Sequence, residues 1–437
     1  MIKIFATNQS NRLKYILDLL ITDMLGLEYI LTRNTGSINV ESEPVINYSD
    51  TDISGAFKIM PCGLLFKNGI VAQELSSVKQ WHDLPVFFET SGGDIPFDLF
   101  AASFFLVSRY EEYLPFAVDA HGRFPSSASY AGKQSFLHLP VINMWVQKLA
   151  EKLSEKFPDI DIKPQSFDFL STIDIDYAWA FLNKSSLRSM MSILKSLLKA
   201  NIREFRLKVN VLQGKTHDPY DTYPEWSLLH EGTMEKVIVF FLVSSATPYD
   251  MVINPDNIKW QNLVKELSQK YSTGLHPSYD SGTEHEIVLK EKQFLESLCG
   301  RPITRSRQHF IKLRMPATYR TLINAGITKD FSMGFHDRTG FRAGIAYPFK
   351  FFDLEKNEST DLMIYPFCVM ERTLKDYMGY DSFSSLGEIN KLISQVKSCG
   401  GLFISIWHNN SLGDYGEWEG WKNTYKQMID LCKKARS

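Results

Sequence analysis

Two aspartates, Asp174 and Asp176, stand two positions apart at the end of a mostly apolar run that begins at Phe167. Such a run predicts a buried strand, and side chains two positions apart on a strand point to the same face. Neighbouring carboxylates repel each other, so one of them must take up a proton or bind a cation. The pair therefore indicates chemistry, with a metal ligand beside a general base.

Other titratable side chains follow further strand-like runs. His276 ends one run, Arg307 and His309 share one face of another, and His408 ends the apolar run 402–408. Each has an ordinary alternative, such as a hydrogen-bonded structural histidine or a simple ion pair. Their joint position favours a cleft, because the working residues of a parallel barrel lie at the carboxyl ends of its strands.

The elements that must position these residues alternate between strand and helix patterns from residue 166 onward. Such alternation predicts parallel pairing, and we predict a distorted parallel (β/α) barrel of seven or eight strands over 166–437. The segment 177–235 is too long for one crossover and predicts a helical insertion with an ordered loop. The predicted strands are 167–173, 236–243, 273–276, 304–310, 330–334, 362–369 and 402–408.

Residues 1–165 predict a smaller α/β domain of unknown role. Two prolines, Pro158 and Pro164, bracket a short extended segment that marks the boundary. Within this part, residues 97–105 carry an aromatic stripe at helical spacing, which is typical of a core helix. The polar and aromatic segment 109–113 that follows is typical of a solvated helix end.

Composition narrows the class of protein. A formal net charge of −2, with 44% hydrophobic and 22% charged residues, indicates a globular protein and argues against a general nucleic-acid binder. The sequence contains no run of about 18 apolar residues, so it predicts no membrane span. Five scattered cysteines without a CxxC pair and no evident signal peptide predict a cytoplasmic protein with reduced thiols.

The polar segments resemble, in their order, those of the polysaccharide deacetylase (NodB-homology) family over residues 166–437. The resemblance rests on 172–176, 274–280, Arg307 and His408. It implies an enzyme that removes an acetyl group from an N-acetylated amino sugar, so the partner is a carbohydrate. It further implies a divalent metal, which would be zinc, cobalt, nickel or iron for carboxylate and imidazole ligands.

The resemblance also implies a role for each matching residue. Asp174 would be the base, Asp176 and His276 metal ligands, Arg307 the group that orients the base, and His408 the general acid. Arg342 resembles part of the same subgroup and could face the cleft as an anion or sugar contact.

One position departs from the family pattern. Asp280 follows His276 by four residues, where the family has its second histidine. If the chain turns helically after Pro277, Asp280 joins Asp176 and His276 around the cation. If it stays extended, the site loses a ligand and metal binding is weak or absent, with His285 and His309 as reserve ligands.

Three functions follow from these possibilities. The first is the metal-dependent N-deacetylase, and the second is a degenerate barrel that binds a glycan without metal or hydrolysis. The third is a glycosidase, which needs two carboxyl groups flanking a sugar bond. The side chains of Asp174 and Asp176 point in the same direction and cannot flank a bond, which disfavours the glycosidase.

Overall fold

Strands and helices alternate along the computed structural model, which describes residues 1–75, 77–184, 186–244, 247–250 and 253–436. The strands are β1 (Ile2–Ala6), β2 (Tyr29–Thr32), β3 (Val45–Tyr48), β4 (Phe57–Lys58), β5 (Lys79–Trp81), β6 (Leu84–Val86), β7 (Phe167–Ile175), β8 (Val237–Leu242), β9 (Ser272–His276), β10 (Arg305–Ser306), β11 (Lys329–Asp330), β12 (Phe349–Asp353), β13 (Glu358–Ile364), β14 (Val369–Met370) and β15 (Gly401–His408). The α-helices are α1 (Asn11–Leu17), α2 (Leu99–Val107), α3 (Tyr130–Lys133), α4 (Val141–Lys156), α5 (Ser186–Leu198), α6 (Ile202–Leu212), α7 (Tyr223–Leu229), α8 (Ile258–Lys270), α9 (His285–Cys299), α10 (Ala317–Asn324), α11 (Ser382–Cys399) and α12 (Trp421–Arg436).

The second part of the chain forms a nine-stranded sheet in the order β12-β13-β11-β10-β9-β8-β7-β15-β14. Every pairing is parallel except that of the edge strand β12 with β13. Helices α8, α9, α10 and α11 connect successive parallel strands, as the alternation of patterns predicts. The fold is therefore mixed α/β around a parallel sheet.

Closure of this sheet into a barrel stays a prediction. The backbone N–H of Phe367, just before β14, donates to the carbonyl of Met333, just after β11, at 3.0 Å. Within the described ranges no ladder joins β14 to β11. A single hydrogen bond therefore joins the segments beside these two strands, and the strands themselves do not pair.

Several details of the strand prediction are wrong. The predicted strand 362–369 is divided between β13 and β14, and β12 was not predicted at all. The predicted strands 304–310 and 330–334 are only the two-residue strands β10 and β11. The predicted helical insertion is confirmed as α5, α6 and α7 between β7 and β8. The predicted ordered loop holds Asp218, whose carboxylate accepts the N–H groups of Ala180, Phe181 and Leu182.

The first part of the chain carries a separate parallel sheet in the order β2-β1-β3-β4 and the small hairpin β5–β6. Helix α2 is buried along its whole length, as its aromatic stripe predicts. One buried cluster runs through both parts of the chain, and the rings of Phe104 and Phe352 lie 5.2 Å apart within it. The domain boundary near residue 165 stays a prediction.

A buried ion network joins the two parts, and it corrects the interpretation of 109–113 and of Arg342. The Glu112 carboxylate accepts Arg109 Nε at 2.7 Å and Arg342 Nη2 at 2.6 Å. All three side chains are buried, so the helix end is not solvated and Arg342 faces Glu112 rather than the cleft. Burial alone would raise the pKa of Glu112, but Arg342 and Arg109 hold it below its usual range.

Among the helices of the described residues, none has the length and apolar character needed to cross a membrane.

Candidate active site

The sheet brings two carboxylates, those of Asp174 and Asp176, and two histidines to the same edge. His408, the last residue of β15, lies opposite Asp174 of β7, and Asp176 follows the end of β7. His276 ends β9, which is separated from β7 only by β8. These strands are almost entirely buried, because their apolar side chains pack on both faces. Their carboxyl ends therefore hold the polar groups in a fixed register.

Three side chains form a compact group of potential metal ligands: Asp176, His276 and His309. Their ligand atoms all lie within 4.8 Å of one another. His276 Nε2 is 3.4 Å from Asp176 Oδ1, and His309 Nε2 is 3.6 Å from Asp176 Oδ2. One carboxylate and two imidazoles are a donor set typical of zinc and of cobalt, nickel or iron.

The other ring nitrogen of each imidazole is held by a hydrogen bond. His276 Nδ1 donates to the carbonyl of Arg307 at 2.6 Å, and His309 Nδ1 donates to Asp250 Oδ1 at 2.8 Å. These bonds fix the tautomer and turn each Nε2 toward Asp176. Histidines that bind metals are oriented in this way by a carbonyl or carboxylate behind them.

The charge state of this group also fits a cation. Asp176 Oδ1 is buried and has no hydrogen-bond partner among the described residues, although buried carboxylate oxygens are rarely left unpaired. Burial opposes its charge, but His309, His276 and His408 hold the pKa of Asp176 well below its usual range. Burial likewise lowers the pKa of His309, but Asp176 and Asp250 raise it to about 9. A divalent cation would take the place of that proton.

Asp280 does not join this group, which corrects its assignment as a metal ligand. Its side chain is exposed and lines a neighbouring cavity. No helical turn follows His276 directly: Ser278 N–H donates to Glu291 and Tyr279 N–H donates to Asp250. The first turn, closed by Ser281 N–H to the carbonyl of Ser278, begins too late to place Asp280 one helical turn after His276. His309, a reserve ligand in the sequence analysis, occupies the third position instead.

Asp174 lies beside the three ligands and is held by Arg307. Arg307 Nη1 donates to Asp174 Oδ1 at 3.1 Å, while Asp174 Oδ2 is 4.0 Å from His276 Nε2. The Arg307 side chain is fully buried, donates to the carbonyl of Phe331 and lies over the ring of Phe240 at 4.6 Å. This setting fixes the direction of the Asp174 carboxylate.

His408 is held by a carboxylate that the sequence analysis missed, Glu371. His408 Nδ1 donates to Glu371 Oε1 at 2.7 Å, and its Nε2 is 3.6 Å from Asp176 Oδ2. Burial lowers the pKa of His408, but Glu371 and then Asp176 outweigh it, so the net shift is upward. Glu371 directly follows β14, and this position at a strand end was the available signal. Asp250 lies in the connection between β8 and α8 and carried no comparable signal.

One cleft of about 280 Å³ is lined by Asp174, Asp176, His276, His309 and His408. Arg307, which the sequence predicts in the same cleft, is fully buried and is not part of its lining. Arg123, from the first part of the chain, forms part of its wall and donates to the carbonyl of Phe310 at 2.7 Å. Arg123 also pairs with Asp119, whose Oδ2 lies 3.2 Å from His336 Nε2 on the opposite side of the predicted boundary. The first part of the chain therefore helps to shape the cleft.

Comparison with known proteins covers the chain unevenly. Residues 2–158 match the model of a family of unknown function, DUF7033. No curated protein matches the chain.

The solved structures that resemble the chain include three at low identity. A Mycobacterium smegmatis protein assigned as a polysaccharide deacetylase is 13% identical, with a TM-score of 0.40, over 62% of this chain and 85% of its own. The polysaccharide deacetylase of Bacillus cereus is 8% identical, with a TM-score of 0.28, over 60% of this chain and 87% of its own. A glycoside hydrolase of family 138, which targets pectin rhamnogalacturonan II, is 9% identical, with a TM-score of 0.24, over 100% of this chain and 51% of its own. At these TM-scores the likeness carries no weight for function, which has to be inferred from the site.

Proposed function

We propose that this protein is a metal-dependent hydrolase that removes the acetyl group from an N-acetylated amino sugar, built on a distorted (β/α) barrel. The observation that carries the proposal is the group Asp176, His276 and His309 beside two differently held side chains. Asp174 is fixed by a guanidinium, and His408 is fixed by a carboxylate.

Asp176, His276 and His309 would hold the cation. When bound, a divalent cation supplies Lewis-acid polarisation of a carbonyl and makes water a better nucleophile at neutral pH. The fit rests on the unpartnered Asp176 oxygen and on the two imidazoles whose Nδ1 atoms are already engaged.

The remaining steps are proton transfers by the protein's own groups. Asp174 takes a proton from the attacking water as the carbon–oxygen bond forms, and Arg307 keeps its carboxylate aimed at the cleft. His408 then gives its Nε2 proton to the amide nitrogen as the carbon–nitrogen bond breaks. The products are acetate and the free amine. Glu371 supports this donor because it favours the imidazolium form of His408.

The substrate class is supported by the motif resemblance and by the cleft walls. Tyr177, Phe310 and Tyr377 line the cleft and offer rings on which a sugar can stack. The alternative of a glycan-binding barrel without hydrolysis depended on a missing third ligand. His309 could serve as the ligand at that position, which supports the hydrolase over that alternative.

The proposal predicts metal-dependent release of acetate from oligomers of N-acetylglucosamine. We expect chelator treatment of the full-length protein to stop the release and added zinc or cobalt to restore it. Asp176→Asn is expected to be inactive under all conditions, whereas Asp280→Asn is expected to keep wild-type activity. Release that survives chelation, or sugar binding without any release in the metal-loaded protein, would show that the proposed function is wrong.

A further inference from the structure

A second cavity, of about 530 Å³, lies between the α5–α6 hairpin and the strand ends. Its walls carry five basic side chains, Lys184, Lys195, Lys199, Lys208 and Arg372, against two acidic ones, Glu204 and Glu417. We refer to it as the basic cavity. It adjoins the catalytic cleft, because Tyr177 and Arg372 line both.

The positive charge of the basic cavity is only partly neutralised. Glu204 pairs with Lys208 at 2.7 Å, and Glu417 pairs with Lys375, outside the cavity, at 2.9 Å. Arg372 is paired with Asp376, also outside the cavity, at 3.1 Å. Lys195 and Lys199 are exposed and have no carboxylate partner among the described residues. Two uncompensated ammonium groups at the rim indicate an anionic ligand.

Helix α5, which carries Lys195 and is followed directly by Lys199, has two different faces. Ser192, Lys195, Ser196 and Lys199 follow helical spacing and line the basic cavity. Among the side chains that the structure describes, the opposite face carries five apolar ones that are between 45% and 80% exposed: Met190, Met191, Leu194, Leu197 and Leu198. A continuous exposed apolar face of this size marks a contact surface rather than ordinary surface variation.

We propose that the α5–α6 hairpin docks on an anionic membrane surface. The exposed apolar face enters the interface, and Lys195 and Lys199 bind lipid phosphates beside it. Charge complementarity favours an anionic membrane as the partner of the apolar face of α5. Unpaired lysines beside an apolar helix face are typical of helices that lie at the surface of anionic lipids. The helix, about 20 Å long, would lie in the plane of the interface.

Docking in this orientation places the basic cavity at the level of lipid head groups. If the hydrolase activity proposed above is correct, the substrate is then a lipid-linked glycan. The phosphoryl group of that glycan occupies the basic cavity while its amino sugar reaches the catalytic cleft. The docking itself does not depend on the hydrolase activity.

Vesicle co-sedimentation of the full-length protein tests the proposal. We expect binding to vesicles of phosphatidylcholine with phosphatidylglycerol, weak binding to phosphatidylcholine alone, and loss of binding as salt is raised. The double variant K195Q/K199Q is expected to bind anionic vesicles on the order of 30-fold more weakly, since each lysine near such a surface contributes about fivefold. Leu198→Glu is expected to weaken binding at least about tenfold. Leu228→Glu, an equally exposed leucine on α7, is the matched control and should bind like wild type.

Three results would overturn the docking. One is wild-type binding by the hairpin variants, or no binding to anionic vesicles at all. Another is a dimer in light scattering that Leu198→Glu dissociates, which would make the face a contact between two copies. The third is lysine-dependent binding of inorganic pyrophosphate in solution without vesicle binding, which would indicate a soluble phosphorylated ligand. None of these measurements involves acetate release, so they test the docking independently of the proposed hydrolase activity.

Discussion

Asp174→Asn is expected to lower kcat for acetate release by about 100- to 10,000-fold, the usual contribution of a general base. The amide can still accept the hydrogen bond from Arg307, but it cannot take a proton from water. Because Asp174 lies beside the three proposed ligands and is not one of them, the affinity for zinc should change little. Steady-state kinetics and zinc titration of the same preparation measure both quantities.

The control for this variant lies on the same strand. Asp168 is on β7, half-exposed and paired with Lys236, so Asp168→Asn should leave kcat unchanged. If Asp174→Asn keeps the wild-type rate, Asp174 is not the base. If it instead loses zinc as well as rate, Asp174 is a ligand, and the division of roles between the two aspartates is wrong.

Glu112→Gln is expected to lower the free energy of unfolding by about 3–5 kcal/mol, the range for breaking a buried ion pair from one side. The substitution would leave the buried guanidinium of Arg342 beside a neutral amide, whereas Arg109 would keep only its pair with Glu111. Because the network joins the two parts of the chain, the loss should affect both. Urea denaturation followed by tryptophan fluorescence measures the change.

An exposed ion pair on α4 gives the comparison. Glu151 pairs with Lys148 and is about half-exposed, so Glu151→Gln should cost no more than about 1 kcal/mol. Equal small losses in the two variants would mean that the buried network does not stabilise the contact between the two parts.

Strands β7 and β15, at the centre of the site, could be predicted because each is a long and mostly apolar run. Strand β9 is short, and it was predicted from the alternation of strand and helix patterns. The patterns of β7, β9 and β15 predicted where Asp174, Asp176, His276 and His408 would lie. The two-residue strands β10, β11 and β14 contain too few side chains to show a period. Their limits were therefore missed, and with them Glu371 at the end of β14.

The choices that depended on distant partners could not be predicted. His309 and Asp280 were both possible ligands. The choice between them depends on Asp250, which binds His309 and also holds the backbone of Tyr279. Residues 109–113 look like a solvated helix end because their partner, Arg342, lies more than 200 positions away. Spacing rules describe neighbours along the chain, and these pairs are formed only by the fold.

Zinc titration by calorimetry tests the central claim most directly, with wild type, His309→Gln and Asp280→Asn as the three proteins. The structure predicts one site in wild type and unchanged binding by Asp280→Asn. It predicts that His309→Gln binds zinc much more weakly than wild type. The loss of affinity should exceed the roughly 10- to 100-fold that follows when a hydrogen-bond partner behind a metal ligand is removed. Equal binding by all three proteins, or loss in Asp280→Asn with retention in His309→Gln, would contradict a metal centre formed by Asp176, His276 and His309.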